Sequence, residues 1–193
     1  MTSIQTICLS VVVAAVAGLG YAQSQRSAPL PAGPRLSFEL GAESDGKPKG
    51  WGGGGEGYQL ALDSKEVHGG KACGRIRYRG SSLKGFGTLT TMSPIEKYRG
   101  KRVRYTGWLR SKDIKNGWAG MWMRIDGQQE GEVLGFDNMA DRPVKGTSGW
   151  TKFQIEMDVP VSARTLVFGF LLSGDGTLWG DDFQMDIVGP SRT

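Results

Sequence analysis

Histidine and cysteine are scarce in this chain of 193 residues, which contains one histidine and two cysteines. Cys8 lies inside an apolar amino-terminal stretch, so Cys73 is alone in the remainder of the chain. We therefore expect no disulfide, and we expect Cys73 to behave as a small buried hydrophobic residue. No Cys/His spacing of the kind that holds zinc is present, which argues against a zinc site.

Signatures of catalysis are also missing. The sequence has no Gly-x-Ser-x-Gly motif and no phosphate-binding loop, and His68 lies in a His-Gly-Gly turn without a neighbouring nucleophile. The glycine run 52–55 precedes no helical pattern, so it predicts a flexible loop and not a nucleotide cradle. Two acidic pairs could serve a glycosidase, Asp137 with Asp141 and Glu130 with Glu132. Nothing marks a member of either pair as buried, so we predict that the protein is not an enzyme, with a hydrolase as the weakest alternative.

A sustained 3.6-residue hydrophobic period is absent as well, and only residues 93–98 suggest a helical turn. Glycine, by contrast, is abundant: there are 31 glycines, about twice the usual share of roughly 7%. They fall between short apolar runs, as tight turns between strands require. These features exclude helical bundles and α/β folds and predict an all-β sandwich or barrel.

Alternation of apolar and polar residues marks the strands. The stretches 103–109 and 153–157 have one apolar and one polar face, which indicates half-buried strands. Residues 166–172 are apolar on both faces, which indicates a central strand. In the last strand we expect four side chains to share one face: Trp179, Phe183, Met185 and Ile187.

The amino terminus has the pattern of a secretory signal peptide. Residues 7–20 are almost wholly apolar but too few to span a bilayer comfortably, and Gly20-Tyr21-Ala22 supplies the small residues of a cleavage site. The region before them has no Lys or Arg, and a buried strand or an uncleaved anchor are the alternatives. We predict a signal peptide at 1–22, a flexible linker at 23–35 and one β-sandwich domain at 36–189, in a periplasmic or secreted protein.

The formal net charge of +5 is compatible with nucleic acid, anionic membranes or acidic polysaccharide as partners. The basic residues are scattered, apart from one group that fits a solvated strand edge: Arg99, Lys101, Arg102 and Arg104. Predicted export argues against a nucleic-acid partner. We also expect no stable membrane insertion once the leader is removed.

Four short motifs span most of the chain after the leader. They are Leu36-Ser37-Phe38-Glu39 with Gly50-Trp51, then His68-Gly69-Gly70-Lys71-Ala72, Tyr98-Arg99-Gly100-Lys101 and Trp179-Gly180-Asp181-Asp182-Phe183. These motifs resemble those of carbohydrate-binding-module-like, galactose-binding-like jelly-roll domains. A narrower signature, residues 121–127 followed by 136–147 and Trp150, resembles one subfamily of them. The resemblance implies an antiparallel two-sheet β-sandwich and a non-catalytic binding module for carbohydrate or a glycan-like ligand.

The stretch 118–125 contains the first group of candidate ligand-binding residues. If its Met and Ile residues face the core, Trp118, Trp122 and Arg124 lie on the opposite face, where an antiparallel sheet is normally polar. Aromatic rings bind the C–H face of a sugar, and arginine takes its hydroxyls. The alternative is that a loop covers the two tryptophans and that they are merely structural.

A dense polar cluster follows, formed by Asp137, Asn138, Asp141 and Arg142. Aspartate and arginine make strong bidentate hydrogen bonds, so these residues could line a ligand pocket beside Trp122. They could equally pin a long loop, since Pro143 and Gly146 mark a turn. Both roles stay open at this point.

The jelly-roll resemblance implies one further site, a structural calcium held between the first and last strands. Glu39 and Asp182 are the positions it names, with backbone oxygens near Gly70; no other cofactor is expected. The exposed tryptophan face also suits a protein partner, because aromatic residues are enriched in interface cores. An envelope protein–protein interaction domain is therefore the main alternative function.

Overall fold

A computed structural model describes residues 35–192 of the chain. The predicted signal peptide, and all but the last residue of the predicted linker, lie outside the described residues. The described elements are ten antiparallel strands. Their bounds are β1 Arg35–Leu36, β2 Gly52–Gly54, β3 Tyr58–Asp63, β4 Cys73–Tyr78, β5 Phe86–Met92, β6 Lys101–Asp126, β7 Val133–Asp137, β8 Val144–Val159, β9 Thr165–Gly174 and β10 Thr177–Pro190. The all-β prediction is confirmed.

The 26-residue strand β6 organises the two layers of the sandwich. Its first half pairs with β10 and β8, and its second half pairs with β9 and β7. The partner strands of β6 change between Asp113 and Gly117, whose φ angles of 57° and 140° lie in the region that favours glycine. The register with β8 shifts over the same residues. A single long strand thus joins both layers.

Sheet I contains β3, β4, β10, the first half of β6 and β8, in that order, with the short β1 beside β10. Sheet II contains β2, β5, β9, the second half of β6 and β7. Strand β9 lies between β5 and β6, so the prediction that it is central is confirmed. No helix of residues 35–192 is long and apolar enough to cross a membrane.

The core lies between the two sheets, where aromatic rings stack closely. Phe170 and Phe183 are stacked with ring centroids 5.2 Å apart, and Tyr105 stacks on Phe183 at 5.5 Å. Gly107 lies against this cluster, because a Cβ at that position would overlap the Phe183 ring. Cys73 is buried and free, as predicted, and burial holds the pKa of its thiol well above the usual range.

A β-bulge in β10 corrects one detail of the sequence prediction. Leu178 faces the core, and Trp179 lies on the outer face of sheet I, paired with Arg75 and Arg110. The register then shifts between Asp181 and Gln184, so Phe183 returns to the core side. The expectation that Trp179 and Phe183 share a face was therefore wrong, because strict alternation ignores the inserted residue.

Residues 93–98, expected to form a helical turn, form hydrogen-bonded turns and no helix. The N–H groups of Tyr98 and Arg99 both donate to the carbonyl oxygen of Ile95. Tyr98 is buried, so this turn fixes the chain at the entry to β6.

Candidate functional site

The outer face of sheet II has an aromatic character that most solvated sheet faces lack. Ala119, Met121, Met123 and Ile125 are all fully buried in the core. Because neighbouring residues of a strand point to opposite faces, Trp118, Trp122 and Arg124 lie on the outer face, as predicted. We call this outer surface of sheet II, centred on Trp118 and Trp122, the aromatic face.

The Trp122 indole is held in one orientation by a neighbouring strand. Trp122 pairs with Gly169 of β9, and its Nε1 donates to Thr88 Oγ1 at 2.9 Å. Thr88 belongs to β5, on the far side of β9. The ring therefore extends across β9 to reach β5. Such a fixed ring loses little entropy when a ligand stacks on it.

Trp118 and Leu171 continue the same surface. A Cβ at Gly120 would lie 3.0 Å from Met139 Cβ, 3.1 Å from the Asn138 carbonyl oxygen and 3.5 Å from Cζ3 of Trp118. The Trp118 ring and the start of the β7–β8 loop therefore both lie against Gly120. Leu171 pairs with Gly120, between the rows of the two tryptophans, and is buried although it points outward. Trp118 and Trp122 both remain partly exposed to solvent.

Arg124 ends the aromatic face with a charged group that is already paired. Its Nε donates to Asp126 Oδ1 at 2.6 Å, and Thr165 donates to the other oxygen of Asp126 at 3.0 Å. Among residues 35–192, Asp126 is the acidic partner of Arg124, and the other N–H groups of the guanidinium can donate to acceptor oxygens. This end of the face thus suits hydroxyl or carbonyl groups more than a free anion.

Exposed apolar side chains concentrate around the same surface. Phe136 pairs with Arg124 and is 56% exposed, and Met92 pairs with Val167 and is 70% exposed. Phe86 and Val133, at other corners of sheet II, are also exposed. The sequence pattern did not identify these exposed residues as one surface, because the strand pairings that bring them onto sheet II are long-range.

The side chains of the polar cluster bind one another and the backbone of the β7–β8 loop. Arg142 bridges two carboxylates, Asp137 at 2.6 Å and Asp141 at 2.7 Å. Asp137 also accepts the backbone N–H of Met139 at 2.8 Å, and Asn138 accepts that of Ala140 at 3.1 Å. These bonds hold Met139, whose φ is 63°, fully buried in the core.

Asp137 lies on the other side of sheet II from the aromatic face. Its Cα partner is the buried Met123, whereas the neighbouring Phe136 is the partner of Arg124. A Cβ at Gly135, two residues earlier, would meet Met157 in the core. The structure therefore brings together Trp118, Trp122 and Arg124, and it places the Asp137–Arg142 ion pair at the rim of the sheet.

Glu39 and Asp182, the predicted calcium ligands, flank the turn at Gly69 and Gly70. Glu39 accepts the backbone N–H groups of Lys71 and Ala72, and Asp182 contacts His68 Nδ1 at 2.7 Å. Within residues 35–192, no group of three or more His, Cys, Asp or Glu side chains is placed to hold a metal. Two carboxylates are fewer than the six to eight oxygen ligands that calcium takes, so a calcium site here would also need backbone oxygens and stays a prediction.

The outer face of sheet I holds aromatic residues of its own. His68 stacks on Trp108 with centroids 4.1 Å apart and meets Trp150 edge-on at 5.6 Å. Beside them, a depression of about 440 Å³ contains Lys152 and the buried Asp181. Burial raises the pKa of Asp181, although three backbone N–H groups donate to it. One face of Trp108 is thus already covered, which makes this depression a weaker platform than the aromatic face.

Comparison with solved structures supports the jelly-roll architecture. The CBM22-1 xylan-binding domain of Paenibacillus barcinonensis Xyn10C matches with a TM-score of 0.56 and 16% identity, over 83% of this chain and 98% of that one. The C-terminal family 22 carbohydrate-binding module of Clostridium thermocellum Xyn10B gives 0.54 and 11%, over 84% and 96%. The enzymatically active domain of bacteriophage CBA120 tailspike protein 4 gives 0.53 and 11%, over 79% and 22%. At these identities the likeness shows the fold alone.

No protein-family model matches the chain. One curated protein, the uncharacterized HTH-type transcriptional regulator YbfP of Bacillus subtilis (strain 168), is 34% identical over 135 residues, which is 69% of this chain. The chain spans 45% of that protein, so the two are similar over less than half of the regulator. Every described element of residues 35–192 is a strand, and this part of the chain therefore contains no helix-turn-helix.

Proposed function

We propose that this protein is a non-catalytic binding module whose aromatic face binds carbohydrate. The observation that carries the proposal is the Trp122 indole, anchored across β9 by Thr88 and partly exposed beside Trp118. A flat ring fixed in this way offers apolar contact to the C–H face of a sugar ring. Arg124 of the same sheet supplies N–H donors at the edge of this face.

The likeness to xylan-binding domains supports the ligand class without identifying the ligand. Jelly-roll modules of this kind carry the same architecture, and the TM-scores exceed 0.5 over most of the chain. At 11–16% identity the residues that bind xylan in those proteins cannot be transferred. Because these neighbours include xylan-binding domains, we propose a β-linked plant or cell-wall polysaccharide as the ligand class.

A binding role fits the chemistry of the aromatic face better than hydrolysis does. A glycosidase needs two carboxyl groups about 5–10 Å apart, one with a raised pKa. Asp126, the carboxylate beside Arg124, is held as the ion-pair partner of that arginine. We propose that the module is exported and acts in the periplasm or outside the cell.

The proposal is tested by screening the purified domain, residues 23–193, on an array of plant and bacterial glycans, followed by calorimetry on the best ligand. Binding of a neutral oligosaccharide with a dissociation constant in the micromolar to millimolar range is the expected result. A folded wild-type domain that binds no glycan on the array would overturn the carbohydrate assignment.

The exposed apolar residues favour a second candidate function, docking of a protein partner. Phe136 and Met92 lie in one row across sheet II with Arg124 and Val167 between them. Apolar patches of this kind are also found in protein interfaces. Pull-down from an envelope extract distinguishes the two functions: a stoichiometric partner that is lost in a Trp118→Ala/Trp122→Ala variant supports docking.

A further inference from the structure

A second surface, on the outer face of sheet I, is basic where the aromatic face is nearly neutral. Its walls and floor form a depression of about 570 Å³ around the start of β10. We call it the basic groove, and we define it by six residues: Arg75, Arg77, Lys112 and Lys115 in the walls, and Thr177 and Trp179 in the floor.

The register of the strands creates this groove. Thr177 of β10 pairs with Arg77 of β4 on one side and with Lys112 of β6 on the other. Two residues further along β10, Trp179 pairs with Arg75 and Arg110 in the same way. Each floor residue is thus flanked by two cations that are about 9–10 Å apart at their Cα atoms, two strand spacings.

The cations that flank Trp179 are neutralised by neighbouring carboxylates, whereas those that flank Thr177 are not, in the part of the chain that the structure describes. Arg75 is paired with Asp63 at 3.0 Å, and Arg110 lies 3.3 Å from Glu66. Within residues 35–192, Arg77 and Lys112 have no acidic side chain within 4.0 Å, and both are exposed. Two uncompensated cations on either side of a single strand produce a local positive potential that attracts anions.

The two carboxylates that line the groove, Asp175 and Asp113, do not form ion pairs with Arg77 or Lys112. Asp175 accepts the backbone N–H groups of Lys115 and Asn116 and the side-chain amide of Asn116, and those bonds lower its pKa. Asp175 is therefore committed to closing the turn between β9 and β10. Asp113, at the bend of β6, is exposed at the rim.

The floor of the groove is rigid. Trp179 is only 7% exposed, and its Nε1 donates to Asp63 Oδ2 at 3.1 Å. The guanidinium groups of Arg75 and Arg110, on either side of Trp179, are held by Asp63 and Glu66. They therefore fix the floor and leave Arg77 and Lys112 as the uncompensated cations of the groove.

We propose that the basic groove binds an acidic sugar residue, with its carboxylate between Arg77 and Lys112. The uncompensated positive charge of Arg77 and Lys112 in the groove attracts an anion. Taking that anion to be a uronic acid rests on the carbohydrate-binding function proposed above. The groove and the aromatic face belong to different sheets, so the two sites bind independently.

Calorimetric titration with an oligogalacturonate, with the neutral ligand from the glycan array and with inorganic sulfate tests this proposal. Wild-type protein should bind the oligogalacturonate, and Arg77→Gln/Lys112→Gln should weaken that binding by at least about tenfold, because two charge-assisted contacts are lost. Added salt should weaken it as well, since the site is partly exposed. The matched control is Lys101→Gln/Lys145→Gln, which removes the same charge from exposed positions elsewhere and should leave the affinity unchanged.

Trp122→Ala separates this proposal from the carbohydrate-binding role of the aromatic face. It should weaken binding of the neutral ligand by about 30-fold and leave oligogalacturonate binding intact, whereas the Arg77/Lys112 variant should weaken oligogalacturonate binding and leave binding of the neutral ligand intact. Absence of oligogalacturonate binding, or equal losses in the two double variants, overturns the acidic-sugar site. Sulfate binding as tight as oligogalacturonate binding overturns it too, because the groove would then recognise a simple anion.

Discussion

Replacement of Trp122 by alanine is the sharpest test of the aromatic face. A tryptophan side chain contributes up to about 250 Å² of contact surface, and one open face of a half-buried ring is roughly a third of that. At about 25 cal/mol per Å², loss of this face should weaken ligand binding by about 2 kcal/mol. This corresponds to an increase in the dissociation constant of about 30-fold.

The variant should also remain folded. Trp122 lies on the outer face of sheet II, and its loss removes one hydrogen bond to Thr88. We expect the free energy of unfolding to fall by about 1–2 kcal/mol, which urea denaturation measures. Calorimetry on the folded variant then reports binding alone.

Two further variants make the result decisive. Thr88→Val removes the acceptor of the indole N–H but keeps the ring, so it should weaken binding by less than Trp122→Ala does. Trp150→Ala, which removes a partly exposed tryptophan from the other sheet, should leave the affinity unchanged. The reasoning fails if Trp122→Ala binds as tightly as wild type, or if Trp150→Ala weakens binding equally.

Three other variants test the structure around the two surfaces. Asp63→Ala should lower the free energy of unfolding by about 3 kcal/mol, because the buried indole N–H of Trp179 and a guanidinium lose their acceptor. Burial alone would raise the pKa of Asp63, but hydrogen bonds to its carboxylate hold that pKa below 3.8. The difference in unfolding free energy between wild type and Asp63→Ala should therefore be largest above pH 3.8 and shrink as the pH falls through the lowered pKa. Urea denaturation across that range checks it. Arg142→Gln should reduce stability by about 1 kcal/mol or less and leave glycan affinity unchanged, whereas a large loss of affinity would return the loop cluster to the ligand site. Gly174→Ala should lower the melting temperature far more than Gly146→Ala does: both glycines have positive φ, but only at position 174 would a Cβ overlap a neighbouring backbone carbonyl, and equal shifts would contradict this.

The sequence by itself determined the fold class and the principal face of interest. Alternation over a few residues decides which side of a strand is apolar, so it correctly placed Met121 and Met123 in the core and Trp122 outside. The strand 166–172 was identified as central for the same reason, since apolar residues on both faces require neighbours on both. These are local properties of the chain.

Only the tertiary structure decided which residues from distant parts of the sequence become neighbours. The bulge at Asp182 places Trp179 and Phe183 on opposite faces of sheet I, and nothing in the local sequence pattern marks the position of the inserted residue. The basic groove joins Arg77 to Lys112, which are 35 positions apart in the sequence, through their common neighbour Thr177. Thr88 likewise meets Trp122 across β9. Such pairs depend on the register of three strands at once, and that register is set by the packing of the whole core.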